Sequence, residues 1–141
     1  RPTNYVLAGA ESFKEAEYRD ALMSSRRALE YLSEKAWTHY GKYCDKADSL
    51  ISVSRRSPSA PWDLRQLVDN LRVKFKKSNA DIPSKAEIID VFEVLLGSGG
   101  QVPPWLYLNK GTHEENDREE FDHAVVSTIV SSLEKLDIAL S

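Results

Sequence analysis

Three short stretches of the chain carry the side chains whose types and spacing could support chemistry. Arg26 and Glu30 are four residues apart, so in a helix they are neighbours that can face a groove. His113 lies in the turn-forming run NKGTHE, and Arg118 precedes His123 with four residues between them. Imidazole gains and loses a proton near neutral pH, and guanidinium binds anions. These residues are therefore the candidates for a catalytic or binding site.

Each of these side chains also has a structural explanation. An Arg and a Glu four residues apart on a helix commonly form a surface ion pair worth about 0.3–0.5 kcal/mol. His113 is suited to hydrogen bonding with a backbone carbonyl in its turn. The run from Glu114 to Asp122 is acidic, which suits the positive end of a helix. Oxygen and nitrogen ligands for a metal are also present in this region, at His113, Glu114, Glu115 and Asp117.

Several reaction signatures are missing from the sequence. The glycine-containing run 97–100 is not followed by the Lys-Ser/Thr pair of a phosphate-binding loop, and no Gly-x-Ser-x-Gly elbow occurs. The single Cys44 excludes an intrachain disulfide, and with only 3 His it leaves no Cys-rich zinc cluster. We therefore predict no metal, no cofactor and a reducing, cytoplasmic setting.

The charge of the chain argues against a generally basic nucleic-acid-binding protein. Its 141 residues carry a formal charge of −3, but basic residues are concentrated between positions 55 and 77. RNA or an acidic partner could dock there, and the predicted nucleic-acid-binding residues are Arg55, Arg56, Arg72, Lys74, Lys76 and Lys77. The alternative is a solvated helix face whose cations complement the helix C-terminus. No apolar stretch approaches the ~20 residues needed to cross a bilayer.

Apolar residues at three- and four-residue steps predict an all-α bundle with four main helices, of which the first and last are long and roughly antiparallel. The first is expected over about residues 11–43, the second over 62–77 and the third over 84–97. The last is capped by Asp117, and its apolar positions are Phe121, Val125, Ile129, Leu133, Leu136 and Leu140.

Local signals refine these elements. Ser84 and Glu87 have the spacing of a capping box, and Gly97 is placed to end the third helix. The runs Leu50–Ser54 and Trp105–Leu108 have an extended character and could pair as a short two-stranded ribbon. Residues 1–141 are expected to form one helical domain, and a first residue other than Met suggests a fragment of a longer polypeptide.

The chain resembles a known superfamily in two places. The long first helix contains RRALE (Arg26 to Glu30), and LNKGTHE (Leu108 to Glu114) precedes the final helix. On these motifs residues 12–138 resemble the HEPN superfamily of helical domains. More narrowly, they resemble the helical part that follows the ATPase in bacterial defence ATPases related to anticodon nucleases.

The resemblance implies two alternatives, because some HEPN domains are metal-independent ribonucleases and others serve in dimerisation or nucleic-acid sensing. In a ribonuclease, His113 would be the general acid or base, Arg26 would offset phosphate charge, and Glu30 would orient Arg26 or share proton transfer. The reaction would be attack of a ribose 2′-hydroxyl on its adjacent phosphodiester. Arg118 and His123 are the second choice, with a Glu after Arg118 where the family commonly has Asn, Asp or His.

We favour a non-catalytic or accessory HEPN-like module of a larger defence-type ATPase. Such a module would mediate self-association or coupling to nucleic acid, so a homodimer and a missing upstream domain, an ATPase in this interpretation, are the expected partners. A metal-independent endoribonuclease is the first alternative. A free-standing helical adaptor is the second.

Overall fold

The structure, a computed structural model, describes residues 4–44, 64–97, 104–110 and 121–141. Within these ranges the chain is all α-helical, without a strand, which confirms the predicted fold class. Four main helices account for most of it, and the longest are the second, with 26 residues, and the last, with 17. The helices are α1 (Tyr5–Lys14), α2 (Tyr18–Tyr43), α3 (Leu64–Lys77), α4 (Lys85–Leu96), α5 (Pro104–Lys110) and α6 (His123–Ala139).

The predicted long first helix is confirmed as α2, but its predicted start near residue 11 is wrong, because the chain breaks between α1 and α2. Ala16 adopts a left-handed conformation with φ of 58°. Its N–H bonds to the carbonyl of Phe13 at 3.0 Å, and the N–H of Glu17 bonds to the carbonyl of Ser12 at 2.9 Å. These two bonds form a Schellman motif, which usually has glycine at the left-handed position. Alanine there gives no sequence signal for the break.

Close packing of α1 against α2 depends on small side chains. Gly9 is buried on α1, and a Cβ at this position would lie 3.2 Å from the Oγ of Ser25 and 3.5 Å from the carbonyl oxygen of Ala21. The absence of a side chain therefore allows the two helices to approach closely. Asn4 begins α1 by accepting a hydrogen bond from the N–H of Leu7 at 3.1 Å.

The second and third predicted helices are present as α3 and α4, with one corrected detail. Gly97 ends α4 in a left-handed conformation with φ of 78°, as its position in the sequence predicts. The capping box at Ser84 is wrong. Ser84 itself has φ of 61°, and its side chain makes no capping hydrogen bond.

The predicted ribbon is also wrong in its second run, because Trp105–Leu108 lies within α5. Pro104 suits the first position of a helix, and Trp105 and Leu108, three residues apart, are both buried on one side of it. Residues 50–54 lie outside the described ranges. The last helix begins later than predicted, since Asp122 is its N-cap and Phe121 precedes it; position 117 is not described.

The predicted antiparallel arrangement of the long first and last helices, α2 and α6, is wrong. Tyr18 at the start of α2 contacts His123 at the start of α6, whereas Lys35 and Asp137, further along the same helices, line one groove. Helices α2 and α6 therefore run in the same direction rather than antiparallel. Phe13, near the end of α1, packs against the His123 ring, so α1 runs opposite to both.

The core lies along one stripe of α2, onto which α1, α3, α5 and α6 pack, and α4 packs against α3, α5 and α6. Its largest fully buried side chains are those of Phe75, Phe92, Leu22, Leu29, Leu32, Leu71, Ile88, Leu95, Leu108, Ile129, Leu133 and Leu136. Every described helix after α1 contributes to this set, so burial of apolar area holds these helices together. None of the helices in the described ranges is long and apolar enough to cross a membrane.

Candidate functional site

Arg26 and Glu30 are brought together on α2, one turn apart. The Nε atom of Arg26 lies 3.9 Å from Oε1 of Glu30, and their side chains are 26% and 42% exposed. Such a partly exposed pair stabilises a helix by a few tenths of a kcal/mol. The charges of Arg26 and Glu30 offset each other, so stabilisation of α2 by this ion pair is sufficient to explain both residues.

His113, the third residue of the first predicted catalytic set, lies outside the described part of the chain. The same holds for Arg118 of the second-choice pair and for Arg55 and Arg56 of the predicted nucleic-acid site. Convergence of His113 on the Arg26–Glu30 pair therefore stays a prediction.

His123, the other residue of the second-choice pair, joins the ends of three helices. Its Nδ1 atom is 2.7 Å from the hydroxyl of Tyr18, and its ring centroid is 4.8 Å from that of Phe13. Tyr18 stands eight residues before Arg26, which is about 12 Å along the helix axis. The contacts of His123 are thus with the junction of α1 and α2, well before the Arg26–Glu30 pair.

The predicted nucleic-acid face on α3 carries acidic partners for part of its positive charge. Glu93 on α4 lies 3.5 Å from Arg72 and 3.0 Å from Lys76, and Asp69 lies 2.9 Å from Arg72. Lys74 and Lys77 form no ion pair with any residue of the described ranges. The local field is therefore weaker than the sequence alone indicates, since two of these four cations are neutralised.

A shallow charged pocket of about 410 Å³ lies beside this face. Its Arg72, Asp69 and Glu93 side chains are already paired with one another, and the Arg65 guanidinium lies 5.7 Å from the centre of the Trp105 ring. The pocket's lining consists of Arg65, Gln66, Asp69, Arg72, Glu93, Leu96 and Gly97. Paired charges leave it little capacity to attract an ion of either sign.

A more apolar groove of about 470 Å³ lies where α1 begins, beside the middle of α2 and the end of α6. Tyr31 lines it and is 60% exposed. Two neighbouring positions are also exposed: Leu7, which follows the lining residue Val6, is 53% exposed, and Ile138, which follows Asp137, is 74% exposed. The groove is lined by Asn4, Tyr5, Val6, Ala28, Tyr31, Lys35 and Asp137.

Two opposite charges lie in this otherwise apolar groove. Lys35 is on α2 and Asp137 is on α6, and neither forms an ion pair with another side chain in the described part of the protein. The Arg27 guanidinium covers the ring of Tyr5 at 5.7 Å, which holds the beginning of α1 against α2. The groove is not predicted from the sequence, because the sequence analysis does not predict α1 as a separate helix that folds back on α2. The available signal was the apolar run YVLAGA at residues 5–10.

Three carboxylates, those of Glu15, Glu17 and Asp20, lie near one another at the junction of α1 and α2. A hydrogen bond with the Asp20 side chain raises the pKa of Glu17, and desolvation and the charges of Asp20 and Glu15 raise it further. Glu17 is the N-cap residue of α2, yet its side chain makes no capping hydrogen bond. The raised pKa therefore reflects crowding of carboxylates rather than a catalytic arrangement.

Among the residues that the structure describes, no three His, Cys, Asp or Glu side chains are grouped so as to hold a metal ion. No protein-family model, curated protein or solved structure matches the chain. The groove at α1, α2 and α6 is the surface feature of the described residues that best supports a binding role.

Proposed function

We propose that the chain is a non-catalytic, accessory helical module that self-associates through the groove formed by α1, α2 and α6. The observation that carries the proposal is the exposure of Tyr31, 60% accessible in a groove with apolar walls. Tyrosine is enriched at protein interfaces, because its ring supplies contact area and its hydroxyl tolerates water.

The distribution of exposed apolar side chains supports this face over others. Six large apolar residues are prominently exposed in the described ranges. Tyr31 lines the groove, and Leu7 and Ile138 directly follow the lining residues Val6 and Asp137 in the sequence. Met23, Tyr43 and Leu106, which are the other three, are distributed over α2 and α5. An exposed aromatic ring within an apolar groove is typical of association sites, whereas apolar residues exposed singly elsewhere are ordinary.

The finer parts of the proposal rest on sequence motifs. Assignment to the HEPN superfamily, as a module of a larger defence-type ATPase, is supported by the RRALE and LNKGTHE motifs. A reducing, cytoplasmic setting is supported by the single Cys44. The full-length reading frame tests this part: an ATP-binding region before Arg1 supports it, and an unrelated upstream domain contradicts it.

Self-association is tested by sedimentation equilibrium of the 141-residue chain and two matched variants. Tyr31→Glu places a charge in the groove, whereas Tyr43→Glu places the same charge at another exposed tyrosine of α2, 45% accessible. We expect Tyr31→Glu to weaken dimerisation about tenfold or more and Tyr43→Glu to leave it unchanged. Equal effects of the two variants would contradict the use of this groove. Circular dichroism checks that each variant remains folded.

A further inference from the structure

We propose that the groove binds a second copy of this chain about a two-fold axis, so that Lys35 of each copy pairs with Asp137 of the other. This inference rests on the proposed self-association and specifies its geometry. Its starting point is that one groove contains a cation and an anion that form no ion pair within the described part of the chain.

The two charges make the face complementary to itself. In a symmetric dimer, the same patch on both copies forms the interface, and the two-fold axis lies in the plane of contact. An axis perpendicular to the line between Lys35 and Asp137, and midway along it, places Lys35 opposite Asp137 of the second copy. The same rotation places Asp137 opposite Lys35 of the second copy. Two equivalent ion pairs then form.

The apolar walls of the groove strengthen the ion pairs between Lys35 and Asp137. Contact between two copies removes water from Tyr31, Val6 and Tyr5, which lowers the effective dielectric around the charges at the groove. A lysine and an aspartate covered without partners would oppose association, because each would lose hydration without compensation. A second copy supplies both missing partners, so the charges select this occupant and fix the register of the two chains.

The helix geometry keeps this surface separate from the Arg26–Glu30 pair. Tyr31 follows Glu30 directly, so the two side chains project about 100° apart around α2. Lys35 is four residues beyond Tyr31 and hence on the same side of the helix as the groove. Association through the groove can therefore proceed while Arg26 and Glu30 stay outside the contact.

The test is a charge exchange between two copies. Lys35→Glu alone places two carboxylates opposite each other at both ends of the interface, and Asp137→Lys alone places two ammonium groups there. We expect each variant alone to dimerise about tenfold or more weakly than the wild type. In a heterodimer of Lys35→Glu and Asp137→Lys chains, one end of the interface keeps the native Lys35–Asp137 ion pair and the other end has an ion pair of reversed sign. Native mass spectrometry of an equimolar mixture should therefore show mainly the heterodimer.

Charge reversals elsewhere serve as controls. Lys42→Glu on α2 and Glu134→Lys on α6 change exposed charges that do not line the groove, and they should leave dimerisation unchanged. If the mixture of Lys35→Glu and Asp137→Lys gives no heterodimer, the two-fold pairing is wrong. If no heterodimer forms but the wild type dimerises and Tyr31→Glu does not, self-association through the groove stands. Only the pairing of Lys35 with Asp137 is then wrong. A wild-type chain that stays monomeric overturns both proposals and leaves the groove for a different occupant.

Discussion

The hydroxyl of Tyr18 lies 2.7 Å from Nδ1 of His123, although the two residues are 105 positions apart in the chain. The hydrogen bond joins the first residue of α2 to the first residue of α6. Phe13 near the end of α1 packs against the same imidazole. One polar contact thus joins three helices, and the groove lies further along them, at the start of α1, the middle of α2 and the end of α6.

Removing the Tyr18 hydroxyl should destabilise the domain. Tyr18→Phe keeps the ring and loses the hydrogen bond to His123, so we expect the free energy of unfolding to fall by about 1 kcal/mol. The measurement is urea unfolding followed by circular dichroism. Tyr43→Phe is the matched control, since the Tyr43 side chain is 45% exposed. Equal stability of Tyr18→Phe and the wild type would show that the contact contributes nothing.

Glycine at position 16 should stabilise the junction of α1 and α2. Ala16 has φ of 58°, a conformation that costs an L-residue roughly 1–2 kcal/mol and a glycine little. We expect Ala16→Gly to raise the free energy of unfolding, partly offset by the greater entropy of glycine in the unfolded chain. The same change at Ala8, inside α1, should lower it by about 1 kcal/mol. A continuous helix through residue 16 would instead make Ala16→Gly as destabilising as Ala8→Gly.

The raised pKa of Glu17 predicts a pH-dependent effect of its removal. A carboxyl whose pKa is raised on folding favours the folded state below its usual pKa, and this contribution is lost as the pH rises through the raised value. Glu17→Gln should therefore gain stability relative to the wild type when the pH is raised from about 4 to about 7. Urea unfolding of both proteins at the two pH values measures the difference. A stability difference that is the same at both values would contradict the crowding of Glu17 and Asp20.

A non-catalytic module should leave RNA intact. We expect a mixed-sequence RNA incubated with the chain in EDTA to remain uncleaved, because Arg26 and Glu30 occupy the positions of an ordinary helix ion pair. Gel analysis of labelled RNA measures this. Cleavage that is lost in both His113→Ala and Arg26→Ala, with unchanged melting temperatures, would instead support the ribonuclease alternative.

Patterns within one helix could be predicted from the sequence, because periodicity and terminal residues act locally. The stripe on α2, the end of α3 at Lys77 and the end of α4 at Gly97 are of this kind. The ion-pair spacing of Arg26 and Glu30 also follows directly from helix geometry.

Features that depend on an unusual backbone conformation, or on contacts between residues far apart in the sequence, could not be predicted. Ala16 takes a left-handed conformation that its side chain disfavours. The break between α1 and α2 therefore lacks the glycine that usually indicates such a helix end in a sequence. The sequence around Trp105 and Leu108 predicts a strand, although their spacing of three places both in the core from one side of α5. The groove brings together residues 4–6, 28–35 and 137, which no local pattern connects.

The mass of the wild-type chain in solution tests the central claim most directly. Light scattering across a dilution series should show a weight-average mass rising from 15.9 kDa toward twice that value as concentration increases. The half-way concentration should rise with salt, because the ion pairs at the edges of the groove are screened. A mass that stays at 15.9 kDa over the whole series would contradict self-association through this groove.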